Sequence, residues 1–490
     1  MAADGPFDTF DEFAARYAGD PEPRRSYYLG RELNKPIPLY EGRGHITWSD
    51  ADGYAAGRVS LALRWLPNPH LEATLTSTGF SGSSPIPDEV TLNLSVGLQR
   101  SAGFGLDVPV EFLHSVVSDP RQLEATFIVR EPVVVPLTPT PDVAAAEWVE
   151  VHLVNCARFG GEPWGGRTVE KVGASLSIGR MRFSVNNDEW RTVIDPVLEA
   201  PYQEAMLTSG YVITHVVEMR AVGRMYSPEL LMTHMDELCG MLSLVSGSAV
   251  GHCLATGYNA QGRAVWNVWS APPVQPWRGR LSAVPASAGS AALPHKLGGP
   301  NFSSLSLKYQ QMRRDPEDAE LLDRLSVWYL SALRHKGPAE VILAAAGLEL
   351  AAYQYLVLGQ GMRNFDRKLD TADALRLLIS YMGETLSIPA DLTVLTALAK
   401  SNGQDWDGPA CVIGFRNALI HPPRGRSAKR SFVNDPQARG EAHALALHYF
   451  DLAILRLLDY EGVCFDRWSG AGSLVPWSPE PQTFVSFTRE

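Results

Sequence analysis

Along the first 220 residues the apolar positions recur every second residue. Leu71-Glu72-Ala73-Thr74-Leu75-Thr76 and Val90-Thr91-Leu92-Asn93-Leu94-Ser95-Val96 alternate strictly, which is the period of a strand with one face on a core. Residues 54–66, 123–129, 133–137, 148–154, 175–185 and 211–220 also read as strands, with Pro67-Asn68-Pro69 and Gly82-Ser83-Ser84-Pro85 as turns between neighbours. Short strands punctuated in this way predict a β sandwich or barrel.

The period then changes. Ser227-Pro228-Glu229 supplies an N-cap, a proline in the first turn and a carboxylate at the positive end of a helix dipole. Leu231, Met235, Leu238, Leu242 and Val245 follow at helical spacing, and His234 and Cys239 read as packing or surface positions on the same helix. Ala264-Val265-Trp266-Asn267-Val268-Trp269 reads as a strand added to the preceding sheet. Residues 271–300 are rich in Pro, Gly, Ala and Ser and mark the main boundary, with Trp277 as an anchor. Beyond it, Asp315-Pro316-Glu317 caps a helix bearing Leu321, Leu325, Trp328 and Ala332. The stretch 341–358, VILAAAGLELAAYQYLVL, is apolar on all sides and predicts a buried central helix. Leu375, Leu378, Ile379 and Met382 mark the next, and Leu445, Tyr449, Leu452 and Leu455 the last. The expected fold class is α+β and multidomain: a β-rich domain over 1–225, a helix and short strands over 226–270 completing it, a linker over 271–310, an all-α bundle over 311–468 and a tail over 469–490.

The chain of 490 residues is long enough for two to four domains, and 45% hydrophobic with 20% charged residues is ordinary globular composition. The five cysteines, Cys156, Cys239, Cys253, Cys411 and Cys464, are odd in number and lack CxxC spacing. That argues against a disulfide framework or structural zinc. Together with an acidic N-terminus that has no apolar core, it gives the expectation of a cytoplasmic protein. Glu349 and Gln354 interrupt the 341–358 stretch, so a core helix is expected there rather than a membrane span. The β-rich half contains no GxSxG elbow, metal-spaced histidine pair or Walker loop, and reads as a binding or sensing module. Trp164 and Trp190 are its candidate contacts, with packing as the alternative. No paired carboxylates stand out for a glycosidase.

One stretch gathers chemistry: Phe415-Arg416-Asn417-Ala418-Leu419-Ile420-His421-Pro422-Pro423. A helix from about residue 406 has Val412, Ile413, Phe415, Leu419 and Ile420 as its expected inner positions. His421 precedes a proline, so the helix should end there, freeing the imidazole to turn back towards Arg416. The negative end of the dipole favours a protonated histidine at this place. Arg424, Arg426, Lys429 and Arg430 follow, against a formal net charge of -11. Such a run serves phosphate contacts or is a solvated loop. Glu349 is the one charge in the central helix and must find a partner or stay near an edge. Arg416 could be that partner through a bidentate pair that aims the guanidinium; a generic interhelix hydrogen bond is the alternative. His443 and His448 read as surface positions and Cys411 as core.

Arg416-Asn417, three residues and His421 resemble the R-x4-6-H motif of HEPN domains. The 341–358 helix with its single glutamate, the stretch 367–378 and the terminal 452–468 are similar to Apea-like HEPN proteins, so the resemblance covers about 311–468. It implies a metal-independent, cofactor-free endoribonuclease of abortive-infection or phage-defence type. Arg416 and His421 would be its catalytic residues, Asn417 would orient the histidine or bind phosphate, and Glu349 would lend support. Arg424, Arg426, Lys429 and Arg430 would bind RNA, tRNA among the candidate targets, and the products would carry 2′,3′-cyclic phosphate and 5′-hydroxyl ends. It further implies a homodimer through the bundle, no membrane association, and control by the β-rich domain through a protein or phage-derived trigger. The competing expectation is a non-catalytic bundle that binds RNA or a nucleotide or only dimerises, with a β domain that recognises protein or carbohydrate. A closed ion pair at Arg416 and a His421 turned away would favour the latter.

Overall fold

The alternating segments form β1 (Ile37–Trp48), β2 (Gly53–Arg64), β3 (His70–Ser81), β4 (Glu89–Val96), β5 (Phe104–Asp119) and β6 (Gln122–Val129) in a computed structural model. The structure describes residues 34–48, 53–81, 86–96, 104–119, 122–138, 145–156, 162–163, 169–172, 175–178, 181–196, 210–277, 299–334, 337–362, 369–401, 406–421, 432–465, 467–468 and 472–479. The chain divides into one unit of Met1–Cys239 with Val250–Arg280 and another of Gly240–Ala249 with Leu281–Glu490.

In the first unit the six strands close as an antiparallel barrel in the order β1-β2-β3-β6-β5-β4. Val59, Leu61, Leu63, Leu71, Ala73, Leu75, Leu92, Leu94 and Phe127 fill it, the residues between them facing outward as the two-residue period requires. The sequence pattern hides two of the six strands. Gly42, Arg43 and Gly44 break the alternation of β1. Pro109 argues against a strand at β5, yet it sits where β5 pairs with β4 alone, since the β6 ladder begins at Val110. There its missing N–H costs no hydrogen bond on the β6 side.

Next come β7 (Val133–Pro136), β8 (Trp148–Val154), β9 (Glu162–Pro163), β10 (Val169–Val172), β11 (Ser175–Ile178), β12 (Met181–Asn186), β13 (Trp190–Pro196), β14 (Ile213–Ala221), α1 (Pro228–Ser246), β15 (Gly251–Tyr258) and β16 (Ala264–Trp269). All the strands but β10 and β11, which pair with each other, make one sheet in the order β7-β16-β15-β8-β14-β13-β12-β9. β16 therefore joins the sheet as expected. Val133, Val135, Val154, Tyr211 and Trp269 continue the barrel core, and Trp65 stacks on Tyr211 with centroids 6.3 Å apart. Trp190 is buried and so is a packing residue, while Trp164 lies outside the described residues. Trp277 is anchored by paired backbone hydrogen bonds with Gly210. His234 is buried against the Tyr226 hydroxyl at 3.1 Å and Glu189 at 3.2 Å.

The second unit holds α2 (Gly299–Arg313), α3 (Pro316–Arg334), α4 (Pro338–Tyr353), a π-helical turn (Gln354–Gly359), α5 (Thr371–Tyr381), α6 (Thr393–Ser401), α7 (Gly408–Ile420), α8 (Pro436–Leu457) and the hairpin of β17 (Val463–Phe465) with β18 (Gly472–Leu474). The hairpin departs from the expected all-α bundle, and α2 begins inside the stretch read as linker. α4 is central, packing against α3, α5, α7 and α8. It buries Val341, Ala344, Ala345, Leu348, Ala351 and Ala352, but Tyr353 and Leu358 are exposed, so it is not buried on every side. Gly347 lets α8 approach, because a Cβ there would lie 2.3 Å from the Phe450 ring. Pro338–Gly359 is the one helical stretch, among the described residues, long and apolar enough to cross a membrane. Its place among four neighbours explains that composition as a core's.

The end of α8 is clamped by charge. Arg467 donates to both Asp451 oxygens at 2.6 and 2.7 Å and to the Tyr329 hydroxyl at 2.9 Å, and Tyr329 donates to Asp451 at 2.7 Å. The expectation that His443 and His448 lie on the surface fails. His448 is buried against Trp468, and the half-buried His443 donates from Nε2 to the Ala332 carbonyl at 3.2 Å. The cause is that α8 is covered nearly all round, with Leu447, His448, Tyr449 and Phe450 buried in succession.

Removing half of the Asp451–Arg467 pair strands the other charge, so Asp451→Asn should cost about 3–5 kcal/mol, read as a lowered urea midpoint. An unchanged midpoint contradicts this. Burial also pushes His152 and His443 down to a pKa of about 4. A depressed histidine stays neutral in the folded state while the unfolded chain takes a proton. Stability is therefore lost as pH falls from the unfolded value of about 6.5 towards 4, each group contributing on the order of 3 kcal/mol. Urea midpoints across this range should drop, and the drop should shrink in His443→Gln.

Candidate functional site

α7 carries the Arg416 cluster, and its start is fixed by Asp407. The Asp407 carboxylate caps the helix by accepting from the Ala410 amide at 2.9 Å. It also accepts from Arg376 Nε at 2.6 Å and from the second guanidinium arm at 3.2 Å, which ties α7 to α5. Gly408 permits close passage of α8, where a Cβ would meet the Tyr449 hydroxyl at 2.0 Å. Cys411, Val412, Phe415 and Ala418 face the core, and the Phe415 ring meets Phe432 edge-on at 4.8 Å. Leu419 is only half-buried and Ile420 is exposed, against expectation. The reason is helical geometry, since Ile420 lies about 140° around from Phe415.

The helix ends at His421 as its following proline predicts, the His421 amide donating to the Asn417 carbonyl at 2.9 Å. Arg416 donates to Asn417 Oδ1 at 2.9 Å, and its other terminal nitrogen approaches Glu349 Oε1 at 3.3 Å. That approach lies within ion-pair distance but lacks hydrogen-bond geometry, and Oε1 is buried without a hydrogen bond. The bidentate pair expected from the sequence is thus replaced by a single looser one. Burial raises the Glu349 pKa and the Arg416 charge opposes the rise. Arg416 is a quarter exposed; with five N–H donors on a guanidinium, these two partners leave capacity for an anion.

The structure therefore unites Arg416, Asn417 and Glu349. His421 is exposed at the helix end, and its side chain makes no hydrogen bond, ion pair or ring contact among the described residues. Arg424, Arg426, Lys429 and Arg430 lie outside the described residues. Among those described, no group of three or more His, Cys, Asp or Glu is placed to hold a metal ion.

Two concavities were not legible in the sequence. One, of about 340 Å³, opens between α4, α5 and α7, where Glu349 meets Leu348, Tyr353, Asp370, Thr371, Leu375 and Ile413. The other is a groove of about 870 Å³ on the barrel, floored by Gly42, Gly44 and Gly57 and rimmed by Glu41, Arg43, His45, Tyr54 and Arg58. The first is built from residues far apart in the chain, so no local motif marks it; the second comes mainly from the paired strands β1 and β2. The groove gives the β-rich unit a concave face of mixed charge with aromatic rings.

Residues 142–280 match the family model described as the YopA central domain, and residues 315–475 the model described as the YopA C-terminal domain. No curated protein and no solved structure matches. The HEPN resemblance is overturned: the match that encloses Arg416 and His421 is to the YopA C-terminal domain, and no HEPN model matches. An arginine and a histidine five residues apart on a helix that ends at a proline is a pattern unrelated helical domains can share. The expected phage-defence setting rested on that resemblance, and neither match bears on it.

Because the folded-state pKa of Glu349 is raised, the folded chain holds this proton more tightly than the unfolded chain. Stability attributable to Glu349 therefore falls as pH rises from the unfolded value to the folded one. Glu349→Gln should remove that step from a plot of urea midpoint against pH. A step of unchanged size in the variant would assign it elsewhere.

Proposed function

We propose that the helical unit of this YopA-like chain binds RNA at the C-terminal end of α7 and cleaves its phosphodiesters without a metal ion. The observation that carries this reading is that Arg416, with spare donors, lies in the last turns of the helix that ends at the exposed His421, whose imidazole has no partner among the described residues. Arg416 holds a phosphate oxygen and offsets the charge that accumulates on the phosphorane. His421, at the C-terminal end of α7, gives a proton to the departing 5′ oxygen. Asn417 orients the guanidinium through its carbonyl and leaves its amide N–H groups for phosphate. The basic residues Arg424, Arg426, Lys429 and Arg430 follow His421 directly in the chain and extend the backbone contacts.

One histidine does not readily serve both in-line proton transfers. A second copy of the chain, bringing a second His421 to the same phosphate, meets that need and makes a homodimer part of the reading. The β-rich unit, with its groove, is the regulatory or recognition module.

A second reading has its own support. The Arg416–Glu349 ion pair uses part of the guanidinium, and a site so restrained suits holding RNA without cleaving it. Two variants separate the readings. Arg416→Ala should weaken RNA binding and abolish cleavage. His421→Ala should keep binding within a few-fold while cutting the cleavage rate by about 10²–10⁴, the usual worth of a general acid. Tight binding without cleavage by the wild-type protein, alone and in mixtures that allow dimerisation, would select the binding reading.

A further inference from the structure

The face of the barrel built by β1 and β2 sets like charges against each other. In their antiparallel register Arg43 stands directly opposite Arg58, and His45 opposite Ala56. Ile46, Ala55 and Val59 point into the barrel core, so by the two-residue alternation Arg43, His45, Tyr54, Ala56 and Arg58 share its outer side, where they line the groove of about 870 Å³. Like charges directly opposite each other destabilise a strand pair. Glu41 compensates Arg58 through an ion pair, but the Arg43 guanidinium makes no hydrogen bond or ion pair among the described residues. Two residues further along β1, about 7 Å away, His45 leans on the Tyr54 ring with centroids 5.6 Å apart. Tyr54 is 43% exposed, which leaves ring surface open to a ligand. On β2 only the Ala56 methyl stands on the outer side between Tyr54 and Arg58. The groove therefore has an uncompensated cation at one end, an open aromatic surface at the other and a low floor between them.

We infer that this groove binds a segment of single-stranded RNA, with one phosphate at Arg43 and the adjoining base stacked on Tyr54. A single strand joins a negative charge to a flat, unpaired ring at every nucleotide, and a cationic groove with aromatic side chains holds such strands with little regard to sequence. The guanidinium donors of Arg43 match phosphate oxygens. A small inorganic anion makes no use of Tyr54, and a duplex keeps its base faces inside the stack. An uncharged carbohydrate leaves Arg43 unmatched. The inference rests on the RNA reading for its biological meaning and gives the β-rich unit an RNA contact of its own. It concerns binding alone, so it is tested without cleavage.

The experiment is a fluorescence-anisotropy titration of the full chain with a labelled, unstructured 2′-O-methyl oligonucleotide, repeated over a range of salt concentrations. The strand has no free 2′-hydroxyl and survives the proposed cleavage. Arg43→Ala should weaken binding and flatten the plot of log affinity against log salt by about 0.7, the share of one phosphate contact on a single strand. Arg43→Lys, which keeps the charge, should retain the wild-type slope. Tyr54→Ala should lower affinity at least fivefold with the slope unchanged, as the loss of one stacked base requires, and should leave affinity for the same sequence as a duplex within twofold. Both alanine variants change exposed side chains and should keep the wild-type circular dichroism spectrum. An unchanged slope in Arg43→Ala, an unchanged affinity in Tyr54→Ala, or an equal loss of duplex affinity in Tyr54→Ala would each overturn the inference. Binding that depends on Arg43 and Tyr54, in a protein that leaves ordinary RNA intact, would uphold the groove and fail the nuclease. Cleavage of ordinary RNA, with binding indifferent to both substitutions, would do the reverse.

Discussion

A carboxylate on the central helix of an otherwise apolar bundle has to be compensated, and much of the site follows from how Glu349 is compensated. Taking a charge from water is costly unless a partner is supplied. Here the supply comes from α7, whose Arg416 stands 3.3 Å away. For the guanidinium to arrive, α7 must present that face to α4, which the Cys411, Val412, Phe415 and Ala418 stripe arranges by burying the adjoining one. Asp407, held by Arg376, fixes where the helix begins and hence how far along α4 the arginine lies. The looseness of the pair matters as much as its presence. A guanidinium with spare donors, a quarter exposed, remains available to something from outside.

The two units solve the problem of polar backbone differently. The barrel closes its hydrogen-bond ladder on itself and so leaves no strand edge within the ring. The helical unit satisfies its ends with side chains instead, Asp370, Asp407 and Asp435 capping α5, α7 and α8. At the end of α8, buried charge is tolerated because Arg467, Asp451 and Tyr329 satisfy one another. Glu349 is the contrasting case, a charge only partly met, and it borders a cavity.

Much of the fold was legible in the sequence, and the failures have physical causes. Strict alternation in β3 and β4 reports the barrel because each strand has one face inside. β1 and β5 escaped because glycines and a proline break the pattern where pairing tolerates them. The N-caps at Ser227 and Asp315 bond as their sequence context requires. The burial of His448 could not be read from spacing, since α8 is enclosed by elements from both earlier and later in the chain. Arg416, Asn417 and Glu349 were identified one by one and do meet. The family resemblance read from the motif and the apolar helices around it was wrong: apolar helices with isolated charges are common to many bundles, and residues 315–475 match the YopA C-terminal domain instead. The cavity was invisible because Leu348, Asp370 and Ile413 become neighbours only through packing.

The most direct test of the proposed reaction is the chemistry of the ends it leaves. Purified full-length protein would be incubated with a mixed RNA pool in excess EDTA, and the new termini mapped. Attack by the ribose 2′-hydroxyl with proton donation to the 5′ oxygen predicts 2′,3′-cyclic phosphate and 5′-hydroxyl ends, formed by the wild type and not by His421→Ala. Fragments bearing 5′-phosphate ends, or equal cleavage by the variant, would contradict the account.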